Sequence, residues 1–236
     1  MRLILAFISF YLAGCGIGLD LPKHDSRFDS TINQFKTDAA FFGQSVDTSK
    51  ISVAFGNTRE EYKVLGLIKL NQNQGAADGI CLLVPKDSNE FVKTFHHSIY
   101  GKHAGERFIV VDNSFQVKSA AEIEILVYHE LGHCALNLAH QEDQVIMSSV
   151  SNGVVLGVYR YFYLREMFLN NKNYPLFMNS LGNKDLEKDE NLELVYQVDY
   201  YSFGERLKHK LYFDHNNEKY MYLDEAKTDE SEESEI

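Results

Sequence analysis

Apolar positions along the chain recur with two periods, and the change between them outlines the elements. Over residues 29–44, Ile32, Phe35, Ala39 and Phe42 return every three to four positions, the spacing of one helical face. Asp29 or Ser30 can cap the start of that helix and Gly43 can end it. Four short runs rich in branched apolar residues follow, at 51–55, 64–70, 79–84 and 107–111. Each is bounded by Asn, Gly, Pro or Asp, as strands are. Residues 86–105, with His96, His97 and His103, predict an irregular excursion between two strands.

The helical period then returns with a clear start. Ser119 stands three residues before Glu122, the spacing of a capping box. Ile123, Leu126, Val127, Leu131 and Cys134 fall near one face, which predicts a helix to about Leu136. Asn137 can take the left-handed closing conformation. A further helix is predicted over 156–169. Beyond Pro175 the composition changes, and Tyr, Val and Leu alternate in short runs over 192–223. Residues 176–223 are therefore expected to form a small β-rich appendage. Residues 224–236, mostly Asp, Glu and Ser, predict a disordered acidic tail. The expected fold class is α+β.

The first fifteen residues, MRLILAFISFYLAGC, have another character. A positive start at Arg2, an apolar run and two small residues form the layout of a secretory signal, too short to span a bilayer. Leu12-Ala13-Gly14-Cys15 resembles the lipobox of bacterial lipoproteins. That resemblance implies removal of residues 1–14, lipidation of Cys15, and a membrane partner reached through the lipid anchor. The implied location is the bacterial cell envelope, at the outer membrane or the cell surface. Residues 15–30 would then be a tether, ahead of a main domain at 31–175.

Composition narrows the classes of partner. The 236 residues are 44% apolar and 24% charged, with a formal net charge of −11. An acidic balance argues against a general affinity for nucleic acid or anionic lipid, because both need a cationic footprint. The tail alone holds seven acids and one lysine, so the folded body is only mildly acidic.

The candidate chemistry lies on the capped helix. His129-Glu130-Leu131-Gly132-His133 is an HExxH motif. Residues four apart share a helical face, so both imidazoles can reach one Zn²⁺ at roughly 2.0–2.1 Å. Glu130 is angled to the side, where it can reach a metal-bound water and act as its general base. A catalytic zinc takes three protein ligands and keeps one position open. His140 is the best candidate for the third, since a chain reversal at Asn137 can return it toward the metal. Without that break it would lie almost two turns away.

With these residues the chain resembles the metzincin clan of zinc metallopeptidases, whose long signature is HExxHxxGxxH followed by a methionine turn. His129, Glu130, His133 and His140 match the ligands and the base, and Met147 resembles the methionine of the turn. One extra residue separates His133 from the reversal, and Asn137 stands where glycine is usual. The resemblance covers roughly residues 31–170 and implies a metzincin-like zincin fold, with a twisted mixed sheet, the active-site helix and a C-terminal helical subdomain. It implies one Zn²⁺, a protein or peptide substrate, and hydrolysis of the peptide bond by a zinc-bound water with Glu130 as general base.

Two other readings stay open at this point. An acidic third ligand, drawn from Glu142, Asp143 or Glu166, would resemble the gluzincins instead. Alternatively, a non-catalytic surface lipoprotein could bind a partner through its tyrosine-rich appendage. The odd cysteine count also resolves in more than one way. With Cys15 lipidated, Cys81 and Cys134 remain, either as a disulfide bracing the zinc helix or as two buried thiols.

Overall fold

The computed structural model describes residues 23–58, 77–83, 105–141, 144–149, 156–172, 175, 178–181, 190–202 and 205–226. Several expectations fall outside these residues: the signal and Cys15, the strand at 64–70, His96, His97, His103, Glu142, Asp143, and the tail from 227.

The described chain is mixed α+β, with two mixed sheets. Helix α1 spans Asp29–Phe41. Strands β1 (Ile51–Gly56), β2 (Gly79–Leu83) and β3 (Arg107–Asp112) form the first sheet in the order β1-β3-β2. The β1–β3 pair is parallel and the β2–β3 pair antiparallel. Helix α2 runs Ala120–Leu136. A single 3₁₀ turn at Gly157–Tyr159 leads into helix α3, Arg160–Leu169. The second sheet has the order β4-β7-β6-β5, from β4 (Asn179–Ser180), β5 (Leu192–Ser202), β6 (Glu205–Asp214) and β7 (Lys219–Ala226). Among the described residues, no helix is long and apolar enough to cross a membrane.

Both ends of α2 are held by local chemistry. The Ser119 hydroxyl accepts the Glu122 N–H while the Glu122 carboxylate accepts the Ser119 N–H, closing the capping box. At the other end Asn137 is left-handed at φ 56°, and the Leu138 N–H reaches back to the Gly132 carbonyl. The Arg107 guanidinium donates to the Cys134 carbonyl, one of the acceptors that a helix leaves open in its last turn.

One apolar core holds α1, the first sheet, α2 and α3 together. Phe35, Val53, Ile109, Val127, Leu131 and Leu164 are all fully buried in it. Helix α3 has a second buried contact through Phe162, which packs with Tyr196, Val198 and Leu211 of the C-terminal sheet.

Two expected boundaries move. The tether was expected to reach residue 30, but the chain is already folded at His24. Asp25 N–H donates to the Val53 carbonyl at 2.8 Å, Val53 N–H donates to His24 Nδ1 at 3.2 Å, and Phe28 is buried. Two hydrogen bonds to Val53 of β1 hold these polar residues, which carry no apolar period of their own. At the other end, β7 continues to Ala226, its backbone in register with Leu207 on β6, so residues 224–226, expected in the tail, are strand. Asp224 and Glu225 belong to the strand because a neighbouring strand satisfies their backbone.

Candidate metal centre

His129 and His133 project from successive turns of α2, and the loop after Asn137 brings His140 to them. His129 Nε2 lies 3.1 Å from His133 Nε2 and 3.2 Å from His140 Nε2. The three ligand nitrogens lie within 4.8 Å of one another. Four ligands at tetrahedral angles, each at about 2.0–2.1 Å from zinc, sit about 3.3–3.4 Å apart. The observed spacing is close to that value, so the donor set fits one small tetrahedral ion.

The remaining ring nitrogens support the same conclusion. His129 Nδ1–H donates to the Ile146 carbonyl at 2.6 Å, and His133 Nδ1–H donates to the Leu138 carbonyl at 2.7 Å. With the proton held at Nδ1, each Nε2 presents its lone pair, the arrangement that ligating histidines adopt. Burial lowers the pKa of both. His129 falls from 6.5 to about 4 through desolvation, with the neighbouring histidines adding to the effect. His133 moves the same way for the same leading reason. Neutral imidazole is the ligating form.

Glu130 stands beside this group without joining it. Its Oε1 lies 4.0 Å from His129 Nε2, and the side chain is almost fully buried. Desolvation raises its pKa from 4.5 to about 8. The backbone of β2 presses on it: a Cβ at Gly79 would sit 2.9 Å from Glu130 Oε1. Glycine at that position is what lets the strand approach the carboxylate.

Met147 lies directly under the motif and is fully buried. A Cβ at Gly132 would come within 2.5 Å of the Met147 sulfur and 2.8 Å of Met167 Cε. The second variable position of the HExxH motif is therefore glycine for a steric reason. The Met147 carbonyl also accepts the Gln141 N–H at 2.9 Å, which ties the turn to the loop carrying His140.

Cys81 on β2 and Cys134 on α2 are joined by a disulfide, with Cα atoms 5.6 Å apart. The bond anchors the residue after His133 to the strand that touches Glu130.

Glu166, considered as an acidic ligand, is committed elsewhere. Its Oε2 accepts the Val145 N–H at 3.0 Å, and it is not among the three residues that converge. Sequence reasoning missed Gly79, Gly132 and this use of Glu166. Gly132 did carry a signal, because a glycine inside a helix costs about 1 kcal/mol against alanine and its presence marks a close approach.

Against known proteins, no family model, curated protein or solved structure matches the chain.

Proposed function

We propose that the chain is a metzincin-like zinc endopeptidase, with His129, His133 and His140 as the metal ligands and Glu130 as general base. The observation that carries the reading is the convergence of three Nε2 atoms with a buried carboxylate beside them. Zinc, when bound, acts as a Lewis acid toward a carbonyl and brings the pKa of water to about 7. Glu130 takes the proton of the attacking water and delivers it to the leaving nitrogen. Burial raises the pKa of Glu130 in the metal-free chain, and a zinc ion beside it would favour the charged form, the state that accepts a proton. The wall formed by Gly79 on β2 keeps Glu130 in place and limits its contact with water. β2 lies at the edge of the described sheet, and an extended peptide can add to such an edge as a further strand.

The test is metal analysis together with peptide cleavage. Glu130→Gln is expected to keep zinc and to lose cleavage by about 10²–10⁴-fold. Equal cleavage by both proteins would remove Glu130 from the mechanism.

The reading also places the protein in the bacterial envelope, anchored through lipidated Cys15. Its support is the order of charge, apolar run, small residues and cysteine in residues 1–15. Cys15→Ala is expected to move the protein from the membrane fraction to the soluble one, and unchanged fractionation would rule out the anchor.

A further inference from the structure

Near the candidate centre, one buried acid has no part in the proposed chemistry. Glu166, on α3, is 1% exposed. Its Oε2 accepts the Val145 N–H, while its buried Oε1 has no hydrogen-bond partner among the described residues. Nothing in this geometry uses the acid as a ligand or as half of an ion pair. It uses the side chain as an acceptor for one backbone N–H.

That N–H has a particular place in the chain. Val145 precedes Ile146, whose carbonyl holds His129 Nδ1–H, and Met147 follows, filling the space under Gly132. The short segment 145–147 is thus fixed by Glu166 at one end and by the Gln141 N–H on the Met147 carbonyl at the other. The orientation of His129 depends on the position of the carbonyl between these two anchors.

Resting on the zinc reading above, we infer that Glu166 is a positioning residue for the metal centre: through Val145 N–H it sets the Ile146 carbonyl, and that carbonyl holds His129 with Nε2 directed at the ion. Partners that orient a ligating histidine typically contribute about 10–100-fold to metal affinity. Burial raises the pKa of Glu166, which agrees with an acceptor whose charge is not required. A neutral side chain of the same shape should therefore replace it.

The test uses the full chain with two substitutions at this position. Glu166→Met keeps the length and removes the acceptor; Glu166→Gln keeps both. Zinc affinity is read by competition with a chelator. In the metal-free protein, solvent exchange of the His129 Nδ1 proton is read by NMR. Glu166→Met is expected to bind zinc about 10–100-fold more weakly and to exchange that proton faster. Glu166→Gln should stay close to wild type in both. Leu164→Ala, in the core on the same helix, is the control: it should lower thermal stability without changing affinity.

If folded Glu166→Met binds zinc as wild type does, the inference is overturned. The same holds if Glu166→Gln is as defective as Glu166→Met. Should Glu166→Met fail to fold, Glu166→Ser takes its place with the same expectations. A wild-type chain that binds no zinc would remove the metal reading itself. In that case the proton exchange in the metal-free protein still reports on the link between Glu166 and His129.

Discussion

Burial acts on Glu130 and His129 in opposite senses, and the pH dependence of stability follows from both. Glu130 titrates near 8 in the fold against 4.5 when exposed, so the folded state holds its proton more tightly. Stability from this group therefore falls as pH rises from about 4.5 to 8. His129 titrates near 4 against 6.5, so the unfolded chain takes up its proton first and stability falls as pH drops below 6.5. His133, also lowered by burial, adds to the acid-side loss. Between 6.5 and 8 Glu130 contributes up to about 1.4 kcal/mol per pH unit, and Glu166, also raised by burial, acts in the same sense, so the metal-free protein should lose on the order of 2 kcal/mol there. Zinc beside the carboxylate favours its charged form, and the loaded protein should not show this decline. Denaturant titrations at pH 6.5 and 8, with and without zinc, measure the difference; equal stability of the metal-free protein at the two values would contradict a buried, protonated Glu130. At this scale the sequence was informative wherever function imposes local spacing. His129, Glu130, His133 and the reversal at Asn137 are legible because a helix converts separation along the chain into direction in space. Gly79 against Glu130 and Glu166 against Val145 were not legible, since each joins residues of different elements brought together only by packing.

Among the elements, α2 carries two of the three converging histidines and the proposed base, and four separate devices hold it. The capping box acts at its start, and the left-handed Asn137, the Arg107 contact and the Cys81–Cys134 bond act near its end. The Arg107 contact ties α2 to β3, and the disulfide ties it covalently to β2. Closing a loop across a separation of 53 residues constrains the unfolded chain, and the chain-entropy relation gives about 4 kcal/mol for that length. Replacing both cysteines by alanine is expected to lower unfolding stability by about that amount in denaturant titration; a change below about 1 kcal/mol would mean that the bond only decorates an already rigid contact. The limits of α2 were readable because Ser119, Glu122 and Asn137 end a helix by their own side-chain and backbone chemistry. The limits of the tether and of β7 were not, because His24 and Asp25 are held by hydrogen bonds to Val53 and Asp224–Ala226 by pairing with β6, and neither shows in the local composition.

Across the whole molecule, a buried charged cluster binds the C-terminal sheet to the rest. Asp38 of α1 accepts from Tyr128 Oη at 2.6 Å, Arg160 Nη2 at 2.7 Å and Tyr196 Oη at 2.9 Å. Arg160 also donates to Tyr128 Oη and to Glu124. Burial pushes the pKa values of Tyr128 and Tyr196 upward, so both hydroxyls stay protonated and donate. Helices α1, α2 and α3 and strand β5 thus meet at one carboxylate, and Tyr128, one of its donors, is the residue before His129. The alternating pattern of residues 192–223 correctly suggested strands, but the expected appendage is continuous with the main body. A polar aspartate on the apolar face of α1 was the visible sign, and its partners lay up to 158 residues away. Removing one side of a buried pair typically costs about 3–5 kcal/mol. Asp38→Ala should therefore destabilise the chain by about that much in a single cooperative transition. Two separate transitions, with the second sheet melting on its own, would show that the cluster does not unite the fold.

The covalent link between β2 and α2 also has a mechanical meaning. A protein held to a surface by its N-terminus and pulled from its C-terminus extends only through residues that lie outside closed rings. The segment between Cys81 and Cys134 forms such a ring, and it encloses the stretch leading up to and including the HExxH motif. At about 3.3–3.6 Å per residue, the oxidised chain would give up roughly 180 Å less contour length than the reduced one. Force applied between the two ends would then travel through the disulfide and bypass α2 up to Cys134, leaving His129–His133 outside the loaded path even after the strands on either side had come apart.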